Sequence, residues 1–456
     1  MPSRAILASI LLLATAPGAT AQTPEDFARW ATPLAGAYSM DGGGHVIVTP
    51  HPSLGLLSLF WLERGDVRGL ERLDDGRFAF GHGLYPSEPY AGFIEFTPAR
   101  GVPDGLRVRG EGEPDVRASR VPMTVEEARI ARGAEATLAG LLVTPPGDGP
   151  FPAALVLPSG YGDRWQHWRL AMVLLVRGIG SLVYDARLAG ASTGAELPGH
   201  YHARSLIRAE DAGAAARWLR SADRIDPAKT GVMGWSQGGW LGAIVAGRDP
   251  EVAFWVDIAG NLNPGWQQAR HARLADLRYE GFSEAELDGA RRYLDAYYGV
   301  MEGTTTWSRY ASALAGARET SWMRWLEEEG FSVAWSSPED AAAYARLERD
   351  NVPEDDVASV RQPALGIYFG FDESSPPESP QIFVRGLTRA GNADYLLRSI
   401  PDATHEAWIV EDWLRKEREP PTRLSRLVFR LVADWIAEVI GAPEDEVVPL
   451  RESGSS

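Results

Sequence analysis

The sequence predicts an α/β fold: a mostly parallel sheet covered by helices on both faces, preceded by a small antiparallel β domain and interrupted by a helical cap. Three observations predict it. Residues 24–121 carry short alternating apolar runs broken by Gly, Pro and Asp, the period-two signature of antiparallel strands. From Glu126 onward, strand-like runs alternate with helical ones, as in a parallel sheet buried on both faces. Between about residues 261 and 360 the strand signals stop and amphipathic helices replace them.

In chain order, Arg4 precedes a short apolar run over residues 5–14, and the small-residue triplet Ala19-Thr20-Ala21 follows. That reads as a secretory leader over residues 1–21, cleaved before Gln22. The run is shorter than the roughly 20 residues a bilayer span needs. Residues 22–122 form the β-rich domain, with strands at His45-Val-Ile-Val48, 56–60, Arg77-Phe-Ala-Phe80 and 92–96. Residues 123–456 form the α/β domain, with strands near 137–143, 151–157, 180–184, 230–233, 253–258, 364–369 and 394–400. Helices are predicted over 208–221, 237–247 and 422–440. The cap is an insertion at about 262–360, where Ser283 with Glu286 three residues on makes a capping box and Pro338 opens another helix. Residues after 444 read as a loose tail.

Composition narrows the chemistry. A chain of 456 residues, 45% hydrophobic, can bury a sizeable core. It has no cysteine, so thiol catalysis, thiolate metal sites and disulfides are excluded, and stability must come from burial. A formal net charge of −17 without a Lys/Arg-rich run opposes binding to nucleic acid or an anionic membrane, both of which need a basic face.

Gly234-Trp235-Ser236-Gln237-Gly238 comes directly after an apolar strand and opens a helix. This is the context of a nucleophile elbow, where a sharp turn lifts a serine hydroxyl above the sheet. A second match, Gly190-Ala191-Ser192-Thr193-Gly194, lies in a glycine-rich loop, and Ser192 reads as a loop serine. A serine hydroxyl needs a base within reach and a third group to fix that base's tautomer. Such a fold orders them Ser, acid, His. Of the two histidines after Ser236, His271 falls in the first cap helix, where a solvated or packing role is expected. His405 lies between the last strand and the last helix and is the predicted base. Asp372, just past the strand at 364–369, is the predicted acid; Glu373, Glu378 and Asp257 compete. The oxyanion donors would be the backbone N–H groups of Gln237 and Tyr161, the latter in Pro158-Ser159-Gly160-Tyr161-Gly162. His200 and His202 with Glu210 and Asp211 lack a metal-site spacing, and no metal is assigned. Trp307, Trp322, Trp325 and Trp335 are either cap core or the lining of an acyl or aromatic pocket.

Residues 151–194, 211–239 and 362–405 resemble bacterial exported α/β-hydrolases of the esterase and serine-aminopeptidase-like group. Tyr184-Asp185-Ala186-Arg187 followed by Ser192-Thr193-Gly194 is similar to a structural segment of that group, and Asp372 followed by Pro376-Pro377 to its acid loop. The sequence departs from the group where Ser159-Gly160 replaces a His-Gly pair, where Leu188 replaces a glycine, and where Gly370 stands closer to the acid than usual. The resemblance implies an α/β-hydrolase fold with a helical cap and an N-terminal accessory domain, acting without a cofactor on a small-molecule ester or acyl substrate. Ester hydrolysis is the first expectation and peptide or acyl-peptide hydrolysis the second. A non-catalytic binding protein on a hydrolase scaffold is the third. The leader implies export to the periplasm or beyond.

Overall fold

A computed structural model describes residues 23–86, 88–110, 113–160, 162–331, 334–348, 351–414 and 421–441. The expected leader and the tail after residue 444 lie outside the described residues.

Helix α1 (Pro24–Ala31) is capped by Thr23, whose hydroxyl accepts from the Asp26 N–H. Eight antiparallel strands follow: β1 (Gly36–Met40), β2 (His45–His51), β3 (Leu56–Trp61), β4 (Val67–Arg72), β5 (Phe78–Phe80), β6 (Gly92–Thr97), β7 (Gly105–Gly110) and β8 (Glu113–Arg120). They close into a barrel, because β1 pairs with β8 in the register Tyr38↔Arg120. The alternation read from the sequence predicts antiparallel strands but says nothing of closure.

Period two explains what each face of the barrel does. Val46, Val48, Leu57, Leu59 and Trp61 point inward and pack with Phe27, Ala31 and Leu34 around α1. The alternate residues Ile47, Phe60 and Leu62 point outward, yet they are buried too. They pack on α2 (Trp168–Val176) and α12 (Arg426–Val439) of the α/β part, with the Phe60 and Phe429 ring centroids 5.0 Å apart. Residues of the barrel's outer wall and of the sheet therefore share one hydrophobic core.

The α/β part is a nine-stranded sheet of β9 (Thr124–Arg132), β10 (Ala136–Thr144), β11 (Phe151–Leu157), β12 (Gly180–Tyr184), β13 (Thr193–Gly194), β14 (Ile225–Trp235), β15 (Trp255–Ile258), β16 (Ala364–Phe371) and β17 (Tyr395–Thr404). Its order is β13-β10-β12-β11-β14-β15-β16-β17, with β9 beside β10. From β12 to β17 every neighbour is parallel; β9, β10 and β13 run antiparallel to their partners. This is the strand order of an α/β-hydrolase. Val156, Met233, Val256 and Leu365 face α2 and α12. Leu155, Val232, Trp255 and Ala364 face α3 (Tyr201–Arg220), α4 (Gln237–Arg248) and α11 (Ser379–Arg389). Burial on both faces is why these strands read as unbroken apolar runs.

Between β15 and β16 stand α5 (Gly265–Tyr279), α6 (Glu284–Glu302), α7 (Trp307–Ala317), α8 (Ser321–Glu328), α9 (Pro338–Glu348) and α10 (Pro353–Val357). The Ser283/Glu286 capping box forms as expected. Trp322 is buried in the cap's own aromatic core with Tyr293, Tyr297 and Tyr310. Trp335 stacks on Tyr297 at 4.5 Å and donates its indole N–H to the Tyr297 carbonyl. Trp307 and Trp325 pack against the same cluster. Trp322 thus belongs to the cap's core, and the other three pack against it while staying partly exposed. Among the described residues, no helix is long and apolar enough to cross a membrane.

Candidate active site

Ser236 occupies the single residue between the end of β14 and the start of α4, with φ 57° and ψ −126°. An L-residue held there costs on the order of 1–3 kcal/mol, so the surroundings must hold it. The Ser236 N–H donates to the Ile258 carbonyl at 2.8 Å, and the Ser236 carbonyl accepts from the Gly239 N–H at 3.0 Å. The flanking glycines are steric necessities. A Cβ on Gly234 would come within 2.2 Å of the Gly238 backbone, and one on Gly238 within 2.9 Å of the Leu157 carbonyl oxygen. Ser236 itself is half-buried. Ser192, by contrast, is buried and occupied: its hydroxyl donates to the Asp185 carbonyl and accepts from the Ala139 N–H.

Asp372 follows β16 and His405 follows β17, so the two adjacent parallel strands deliver them side by side. His405 Nδ1 lies 2.9 and 3.0 Å from the two Asp372 carboxylate oxygens. Nδ1 must carry the proton, because a carboxylate only accepts, and Nε2 is left as the basic nitrogen. Asp372 is fixed by the Ser374 and Ser375 N–H groups at 2.8 and 2.6 Å. The His405 backbone is fixed at both ends: its N–H donates to Glu373 Oε2 at 3.1 Å and its carbonyl accepts from the Trp235 indole at 2.7 Å. Burial pushes the His405 imidazolium pKa down, but the Asp372 charge and hydrogen bond outweigh it and raise the pKa to about 9. Glu406 also raises it, though its exposed side chain is screened by water.

The other candidate acids stand elsewhere. Asp257 lies inside β15, fully buried, with Tyr368 donating to it and burial raising its carboxyl to about 7. Glu378 precedes α11. The expected oxyanion residue Tyr161 lies outside the described residues. Gln237, the other, begins α4. Its side chain accepts from the Gly160 N–H at 3.1 Å and from Arg208 at 2.8 Å, and donates to Ser205 at 2.8 Å. Gln237 therefore fastens the loop before residue 161 to α3.

The cap reaches the acid loop directly, which the sequence reading misses. His271 Nε2 donates to the Asp372 carbonyl at 2.7 Å, and the Tyr279 hydroxyl to the Phe371 carbonyl at 3.0 Å. His271 thus takes a specific partner in place of the solvated or packing role expected of it. A cavity of about 230 Å³ lies here, lined by His271, Leu274, Arg278, Phe369, Asp372 and Trp413. Trp413 carried no sequence signal; it packs edge-on to Phe371 and beneath the Arg278 guanidinium. His200 lies 2.9 Å from Glu348, and His202 stacks on Trp240. Glu210 pairs with Arg132 and Asp211 with Arg187. Arg132 also lies 3.6 Å from Asp211, so the two acids face arginines while the histidines turn elsewhere, and among the described residues no group of ligands suits a metal ion.

Comparison with known proteins adds one family match: the prolyl oligopeptidase family model matches residues 205–287. That span holds Ser236 and its elbow. A search of curated proteins finds no match. Among solved structures, the chain is similar to an esterase of Pyrococcus furiosus, at 15% identity and TM-score 0.41 over 70% of this chain and 89% of that one. It is also similar to a hyperthermophilic esterase of Pyrobaculum calidifontis, at 18% identity and TM-score 0.40 over 70% and 85%. A fungal esterase of Rhizomucor miehei shows 17% identity and TM-score 0.42 over 70% and 85%. These are distant likenesses.

Proposed function

We propose that this protein is a serine hydrolase in which Ser236 is the nucleophile, His405 the general base and Asp372 the group that orients it. The observation that carries the reading is the Asp372–His405 pair at 2.9 Å, tied through the His405 carbonyl to Trp235, the residue before Ser236, in a strand-to-helix turn that holds Ser236 at positive φ. His405 Nε2 takes the Ser236 proton as Oγ attacks the carbonyl carbon, and returns it to the departing alcohol or amine. Water then repeats the sequence on the acyl-enzyme, releasing the acid. The N–H groups of Gln237 and Tyr161 are the proposed oxyanion donors.

Carboxylic esters are the proposed substrates, after export of the mature chain from Gln22. Peptides are the second reading, favoured by the prolyl oligopeptidase family match over residues 205–287. Hydrolysis of p-nitrophenyl butyrate and of an aminoacyl-p-nitroanilide, by wild type and Ser236→Ala, tests both. Turnover of the ester, reduced by about 10³-fold or more in the variant, supports the esterase reading. Turnover of the anilide alone moves the assignment to peptides. A wild type that turns over neither substrate and is not labelled by a fluorophosphonate refutes the hydrolase reading.

A further inference from the structure

Helices of a parallel α/β sheet begin at the carboxyl edge of the strands they follow. The start of α2 is therefore on the same edge of the molecule as the start of α4, where Ser236 sits. His167 and Arg169 occupy the start of α2. His167 stacks on Trp235, the residue before Ser236, and its Nε2 lies 3.5 Å from the hydroxyl of Ser159 in the proposed oxyanion loop. Arg169 crosses to the barrel: its guanidinium donates to the β3 hydroxyl of Ser58 at 3.4 Å and lies 5.9 Å from the Phe60 ring. Ser58 Oγ is in turn 3.1 Å from His51 Nε2 at the end of β2.

What this cluster lacks, among the described residues, is an anion in contact with it. Arg169 forms no ion pair with a carboxylate among the described residues, and its Nε, closed off from water, has no hydrogen-bond partner. Arg169 is half-buried, and an orphaned buried donor such as its Nε calls for an explanation. Neither histidine supplies negative charge. Burial and the neighbouring Arg169 hold His167 neutral, with its pKa down to about 4, and His51 likewise, down to about 3. Each can donate or accept a hydrogen bond without adding charge. Glu406, the residue after His405, favours the guanidinium by its charge without forming an ion pair with it.

We infer that Arg169, with His167 of the α/β part and His51 of the barrel, and braced by the buried Ser58, forms a recognition site for a substrate carboxylate. This rests on the hydrolase reading above. The barrel then supplies one wall of the substrate cleft. Arginine presents planar, paired N–H donors that match a carboxylate. The substrates are esters bearing a free carboxylate on the acyl or the alcohol side, within a side chain's length of the scissile carbonyl.

The test compares matched pairs of substrates on the full chain. For the acyl side the pair is 4-nitrophenyl hydrogen glutarate against 4-nitrophenyl valerate; for the alcohol side it is 4-acetoxybenzoate against phenyl acetate. Wild type is expected to favour the anionic member of one pair in kcat/KM, and Arg169→Gln to lower that ratio roughly tenfold or more, the range for a charge-assisted hydrogen bond. Arg169→Lys should keep part of the preference. Because the readout is a ratio within one preparation, partial misfolding does not mimic it. If neither pair shows a preference that Arg169→Gln removes, while Ser236 still reacts with a fluorophosphonate, the carboxylate site is wrong and the hydrolase reading stands. If Ser236 does not react, the hydrolase reading itself has failed.

Discussion

His405 is held by opposing forces. Burial disfavours its charge, and Asp372 favours it more strongly, so the imidazolium persists to about pH 9. A general base must be unprotonated to act, so kcat/KM for a neutral ester should rise with pH and level off above an inflection near 9. Asp372→Asn should lower kcat by about 10⁴-fold, as removal of a triad acid's charge does elsewhere, and shift the inflection to lower pH. An inflection that stays put would mean that Asp372 does not set the histidine's basicity. Stability follows the same shift. The raised pKa stabilises the fold fully below about pH 6.5, the unfolded histidine's value, and that contribution is lost as pH climbs through about 9. The stability gap between wild type and Asp372→Asn should therefore narrow from pH 6 to 10. That Ser236 would occupy a strand-to-helix turn was legible because such a turn is local. Contacts across the chain were not legible: His271 meets a carbonyl 101 residues away and Arg169 a hydroxyl 111 residues away, and no sequence pattern encodes such pairings.

At the scale of elements, α5 matters beyond covering the sheet. His271 and Tyr279 project from one helix onto consecutive carbonyls of the acid loop, and the Tyr279 hydroxyl also lies 3.3 Å from Glu373, which holds the His405 N–H. Movement of the cap is thereby linked to the geometry of Asp372 and His405. Tyr279→Phe keeps the ring against Trp413 but removes the hydroxyl. Since a hydrogen bond contributes about 1 kcal/mol, kcat should fall about fivefold with KM little changed. A change confined to KM would instead mean that α5 acts only as a wall of the cleft. The cap also shows why its four tryptophans were ambiguous: an aromatic at helical spacing fits a core and a pocket equally well, and only the packing of α6 to α9 decides.

At the scale of the whole molecule, the barrel and sheet are joined by apolar burial. Phe60 on β3 and Phe429 on α12 meet where the outer wall of the barrel lies against the α/β part. Calorimetry should show a single unfolding transition for both. Phe429→Ala should cost about 3–5 kcal/mol, as deletion of a buried aromatic does, and lower the stability of barrel and sheet together. Two resolved transitions in wild type would mean that the two parts unfold independently. The β-rich region was readable as antiparallel strands, but its union with the sheet was not, because an apolar residue on the outer face of a strand looks the same whether it meets solvent or a helix.

A ring of strands has no final bond until its ends meet. The pairing of Tyr38 on β1 with Arg120 on β8 joins the two strands of the barrel that are farthest apart in sequence. Topologies dominated by such distant pairings fold slowly, on the order of milliseconds to seconds for small domains. The outer-wall residues that α2 and α12 pack on, Ile47 and Phe60, are paired across the β2–β3 hairpin, and ring closure fixes that hairpin in the barrel. Barrel closure is then expected to be the slow step, and recovery of the proposed ester hydrolysis during refolding should lag behind formation of the sheet.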